Sequence, residues 1–101
     1  MKTITELTQI MTDLVDAKGW SGNDSKRKQT PRNLACSLSI EASEVLEHFQ
    51  WGEEIKDKEG LSSELADVLL YLLQLAAVSD INLEDAVLKK VAVNYNRQWI
   101  D

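Results

Sequence analysis

Four carboxylates in two matched pairs are the residues of this chain best suited to chemistry. Glu41 and Glu44 lie in LACSLSIEASEVLEHFQW, and Glu64 and Asp67 lie in SSELADVLLYLLQLAAV. Each pair is spaced i,i+3, so on a helix its two side chains point the same way, one above the other. Like charges so placed repel unless something neutralises them. The second pair also opens a strongly apolar stretch, where a bare carboxylate is costly. A hard divalent cation bridging two facing pairs removes both penalties. The plainer readings are a solvated helix face for Glu41 and Glu44 and complementation of a helix N-terminus by Glu64. Asp67 fits the latter poorly, because Leu65, Val68 and Leu70 surround it. Recurrence of one spacing on consecutive helices favours a shared metal site.

Other side chains carry weaker signals. His48 falls on the stripe of Glu41 and Glu44, but a lone histidine beside an apolar face is more often a packing residue than a ligand. Trp20 and Trp51 stand just outside helix ends, where they can pack or offer a platform to an aromatic ligand. Lys90, Asn94 and Arg97, at i, i+4 and i+7, form a polar stripe that suits either water or phosphate oxygens. Cys36, the chain's single cysteine, reads as a small buried hydrophobe and excludes an internal disulfide. There is no Gly-rich phosphate loop, no Ser/His/Asp signature and no zinc spacing.

Helices must position these groups. Glycine and proline are scarce, at 4 and 1 of 101 residues, while Leu, Ala, Val, Glu and Lys dominate. The length suits one domain over residues 1–101 with a modest core. The first helix is expected from about Ile4 to Lys18, opened by the capping-box pair Thr3 and Glu6, with Ile4, Leu7, Met11 and Leu14 on one face and Gly19 at the end. The second starts at Thr30-Pro31 and is stopped by Gly52. Its apolar stripe is Leu34, Leu38, Ala42, Val45 and Phe49; Ser37, Glu41, Glu44 and His48 adjoin it. The third is expected to begin near Ser62, with Glu64 and Asp67 in its first two turns, and is apolar almost all round from Leu65 to Val78. Such a helix needs cover on every side, which implies a homo-oligomer. The fourth runs from the cap Asn82 to about Gln98, with Val87, Val91 and Tyr95 as its apolar face.

A net charge of −6 argues against a nucleic-acid partner. The start MKTITELTQI lacks the apolar core of a signal peptide. The run Leu65 to Val78 is short for a bilayer span and contains Asp67 and Gln74. A cytoplasmic protein with no membrane partner is expected.

These residues resemble the MazG-like family of all-α nucleoside triphosphate pyrophosphohydrolases. The family pattern is Glu-Glu-x-x-Glu, a gap, then Glu-x-x-Asp. Here it reads Ile40-Glu41-Ala42-Ser43-Glu44 and then Glu64-Leu65-Ala66-Asp67, with Ile40 in place of the first glutamate. Pro31-Arg32-Asn33-Leu34, Phe49-Gln50-Trp51 and Tyr71 after Asp67 are similar to the dCTP pyrophosphatase-like branch; this chain departs from it in having Gln29 and Thr30 where the branch has a histidine before the proline. The resemblance implies that Glu41, Glu44, Glu64 and Asp67 bind magnesium, with manganese as a substitute. It implies that Trp20 and Trp51 help hold the base, and that Tyr71, Lys90, Asn94 and Arg97 contact sugar or phosphates. The implied fold is all-α, a four-helix bundle-type subunit assembled as a homodimer or dimer of dimers.

The expected activity is magnesium-dependent hydrolysis of a (deoxy)nucleoside triphosphate to the monophosphate and pyrophosphate, a house-cleaning reaction of the nucleotide pool. The alternative is a non-enzymatic helical oligomerisation module with solvated acidic faces. A di-iron carboxylate bundle is disfavoured: it needs Glu-x-x-His on two helices, and the chain has one histidine.

Overall fold

The computed structural model describes residues 1–20 and 28–97. Its elements are α1 (Ile4–Ala17), α2 (Pro31–Glu47), α3 (Lys58–Val78) and α4 (Leu83–Tyr95), with no strand among the described residues.

Local chemistry sets most of the boundaries. The Thr3 hydroxyl accepts from the Glu6 amide while the Glu6 carboxylate accepts from the Thr3 amide, each at 3.1 Å, a complete capping box. Thr30 accepts from the Asn33 amide at 3.2 Å, and Pro31 occupies the first helical position of α2. Asn82 accepts from the Asp85 amide at 3.1 Å to open α4. After α1, Gly19 takes φ 70°, and the amides of Gly19 and Trp20 donate to the carbonyls of Asp16 and Val15. That is the paired closure of a Schellman motif, which needs a left-handed residue here.

Three boundaries depart from expectation. α3 begins at Lys58 rather than near Ser62, because the Asp57 carboxylate accepts from the Gly60 amide at 2.9 Å and caps the helix earlier. Glu64 and Asp67 therefore lie beyond the first turn, whose acid is Glu59, and Glu64 does not serve the helix N-terminus. α2 ends at Glu47, with turns carrying the chain on through Trp51 before Gly52. α4 ends at Tyr95; Gln98 lies outside the described residues. Starting at Lys58 also gives α3 21 residues, long and apolar enough by length and composition to cross a membrane.

The core is small. Met11, Val15 and Leu73 form its centre, with Ile4, Leu7 and Leu83 packed against it, and Leu34 is 2% exposed beneath α2. Val15 rather than Leu14 completes the α1 stripe, since Leu14 remains 42% exposed. Much apolar surface stays uncovered. Leu65, Leu69, Leu70 and Val78 on α3 are exposed. α4 has no buried residue, and its expected apolar face of Val87, Val91 and Tyr95 is exposed throughout. The radius of gyration is 16.0 Å, against about 13 Å for a compact domain of ~100 residues.

Candidate metal and nucleotide site

α2 and α3 form the most extensive helix pairing in the chain. They run antiparallel, since Gln29 meets Gln74 while Glu41 meets Glu64 and Asp67. Along α3 the residues Glu64, Asp67, Tyr71 and Gln74 recur at i, i+3, i+7 and i+10, one face of a helix. Along α2 the matching face carries Glu44, Glu41 and Ser37, with Gln29 just before the cap. The hairpin thus has a polar seam with acids toward the connecting loop and amides at the other end.

At the acidic end, one carboxylate oxygen from each of Glu41, Glu64 and Asp67 lies within 4.8 Å of the others. Oxygens sharing one hard cation at about 2.1–2.4 Å are at most ~4.2–4.8 Å apart, so the three side chains can converge on a single ion with little movement. Glu41 Oε2 and Glu64 Oε2 are buried and have no hydrogen-bond partner. Buried carboxylate oxygens without donors are costly, and a divalent cation supplies the missing positive charge. The all-oxygen donor set suits magnesium, manganese or calcium rather than a thiophilic metal.

Electrostatics agree. The Glu41 carboxyl is pushed up to about 7, first by desolvation, then by a hydrogen bond with Glu44 and by repulsion from Glu44, Asp67 and Glu64. Glu64 is also raised, first by its hydrogen bond with Glu44, then by desolvation and the neighbouring acids, with His48 opposing. Glu44 therefore reaches the acids of both helices, but the oxygens that converge within 4.8 Å are those of Glu41, Glu64 and Asp67.

A stability prediction follows from the sign of these shifts. Between the ordinary carboxyl value of 4.5 and about 7, folded Glu41 holds a proton that the unfolded chain has released. The native state then binds more protons than the unfolded state, so stability falls as pH rises through that window. Metal-free protein should melt lower at about pH 8 than at about pH 5, and millimolar magnesium or manganese should restore stability chiefly at the higher pH, where the carboxylates are free to bind it. Thermal melts across pH with and without metal check this; a metal-independent Tm at the higher pH would remove the cation from the site.

One helical turn from Glu41 and Asp67, the seam opens into a cleft of about 570 Å³ lined by Lys28, Gln29, Asn33, Cys36, Ser37 and Tyr71 among others. Asn33 Nδ2 donates to the Lys28 carbonyl at 2.9 Å, holding the segment before α2 against its first turn. Tyr71 thus lies where a molecule anchored at the acids would extend.

The remaining expected residues are placed differently. His48 packs at the hairpin's loop end: a Cβ on Gly60 would collide with the Asp57 carboxylate and come 3.2 Å from His48 Cε1, so a side chain there would displace the Asp57 cap. Trp51 is 85% exposed at that same end, away from the cleft. Trp20 is 45% exposed after the α1 cap. Lys90, Asn94 and Arg97 lie on or just past α4, which packs against α1 and meets α2 and α3 at most slightly. Within one chain they are not brought to the acids. Asn94 Oδ1 is nevertheless buried without a hydrogen-bond partner. Lys28, Gln29, Asn33 and Gln74 carry no site role on sequence grounds; the signals present are Asn33 in the Pro-Arg-Asn-Leu match, Gln29 where the related branch has a histidine nearby, and Gln74 as a polar residue inside an apolar helix.

Residues 36–101 match the MazG-like family. The chain is 30% identical over 104 aligned residues to dCTP pyrophosphatase 1 of Mus musculus and 31% to that of Homo sapiens, covering 94% of this chain. It spans little more than half the length of those relatives, 58%. Its fold is similar to the crystal structure of a pyrophosphatase from Archaeoglobus fulgidus, with a TM-score of 0.76 and 37% identity over 93% of this chain and 90% of that one.

Proposed function

We propose that this chain, which belongs to the MazG-like family, hydrolyses nucleoside triphosphates to the monophosphate and pyrophosphate with a divalent cation at Glu41, Glu44, Glu64 and Asp67. The observation that carries this reading is the convergence of acids from two helices on a point where buried oxygens lack donors. It is strengthened by a cleft one turn away and by relatives named as pyrophosphatases.

In this reading the triphosphate lies over the acids and the nucleoside enters the cleft. Magnesium, or manganese in its place, would neutralise phosphate charge and lower the pKa of water at the site. A carboxylate of the cluster accepts the proton of the attacking water. The water oxygen bonds to the α-phosphorus, the α–β bridging bond breaks, and pyrophosphate departs. Tyr71, four residues past Asp67, is placed to contact sugar or phosphate. A panel of canonical and modified nucleoside triphosphates, scored for both products, tests the activity; release of orthophosphate without pyrophosphate would overturn it.

The distal residues enter through assembly. Trp51 lies in the turns past the end of α2, whose last residue Glu47 is already roughly 15 Å along the axis from Ser37 in the cleft, at about 1.5 Å per residue. We assign it to stacking on the base held by a neighbouring copy, with Trp20, Lys90, Asn94 and Arg97 as further contributors. Trp51→Ala should raise KM about tenfold with kcat little changed, since stacking is common to ground and transition states. Steady-state kinetics beside sedimentation separate the cases: unchanged KM with lost assembly would make Trp51 a packing residue.

A further inference from the structure

Gln74 has no role in the chemistry above, yet its burial requires a reason. It is 8% exposed, in a helix whose other buried residues are Leu73 and Ala76. Burying an amide there is unfavourable unless it is hydrogen-bonded, and leucine of similar size would pack without that requirement. Its Nε2 donates to Oε1 of Gln29, 45 residues away in sequence. Gln29 in turn lines the cleft. Because Gln74 engages the Gln29 oxygen, the orientation of the Gln29 amide is tied to Gln74. Gln74 also lies seven residues past Asp67 on the same helical face, or about 10 Å along the axis. That is the span from a triphosphate to its base.

We propose that the Gln29–Gln74 amide pair sets nucleobase selectivity, with Gln29 facing the base edge and Gln74 the positioning residue that fixes its orientation. This rests on the reading of the chain as a nucleoside triphosphate pyrophosphohydrolase. A hydrogen-bonding group held in one orientation discriminates, because its fixed donor and acceptor pattern matches one base edge and not another. A freely rotating side chain adapts to any edge and discriminates little.

The test compares the wild-type chain with Gln74→Leu and Gln29→Ala on the nucleotide panel with magnesium. The wild type should prefer one base by about tenfold or more in kcat/KM, and both variants should flatten that preference to within ~threefold, through KM for the preferred nucleotide. A readout independent of turnover comes from Cys36, the single cysteine, which is exposed and lines the cleft. The preferred nucleoside monophosphate should slow its alkylation by N-ethylmaleimide in the wild type and lose that protection in Gln29→Ala. A uniform loss across all bases, or a lowered Tm with selectivity intact, would make Gln74 a packing residue and overturn the proposal. Unprotected Cys36 in the wild type, or hydrolysis without base preference, would overturn it while leaving the activity standing. Failure to hydrolyse any nucleoside triphosphate would overturn the activity, and the proposal with it.

Discussion

Glu41→Gln and Asp67→Asn should each lower kcat about a thousandfold or more, the scale on which single charge-stabilising groups act in water-excluded sites, while leaving the helical circular dichroism unchanged. Both substitutions keep size and shape and remove one negative charge. The metal-free protein should not weaken. Desolvation first, then the three neighbouring acids, push the Glu41 carboxyl up to about 7, so neutralising it relieves both costs at neutral pH. Glu41→Gln should therefore melt higher than the wild type without metal and respond less to added magnesium. A structural acid would show the reverse: lost stability with activity tracking the folded fraction. Substantial turnover by either variant in saturating magnesium would sink the metal-site assignment.

The second large effect concerns assembly. Sedimentation at micromolar concentration should show no folded monomer. Leu65 at 51% exposed, Leu69 and Leu70 at 38%, and Ile40 and Leu46 on α2 together exceed the scattered apolar residues expected on a lone subunit. Among the described residues, the five buried hydrophobic ones form a small core. Placing a charge on α3 by Leu69→Glu should dissociate the assembly and lower the helical signal in the same concentration range, because obligate oligomers have no stable lone subunit. A compact, stable monomer of wild-type protein would show that the four helices suffice unaided.

The sequence declared what is local. Thr3 with Glu6, Thr30 with Pro31 and Asn82 with Asp85 are caps whose partners lie within three residues, and they open the helices as expected. The acid pairs were legible because helical spacing alone places each pair on one face. What was illegible depends on tertiary approach. Asp57 is the exception: its cap on the Gly60 amide is local, three residues on, but it sits in a run of charges that reads as loop. Val15 displaces Leu14 because Leu73 and Leu83 approach from that side. The Gln29–Gln74 bond joins residues 45 apart, and Gln74 by itself is only an odd polar residue. The stripe Lys90, Asn94 and Arg97 was visible, but its distance from the acids is set by α4 docking on α1.

The sparse packing of α4 bears on how the chain opens. A helix with no buried residue contributes little to the cooperative core, so its amides should exchange with deuterium far sooner than those of α3 around Leu73. Any surface that covers α4 closes that opening. Exchange at α4 amides would then rise and fall with subunit concentration while α3 held steady, giving a backbone reporter of association that needs no label. It would also divide the chain into an acid-bearing hairpin of high protection and a peripheral helix whose order is conferred from outside.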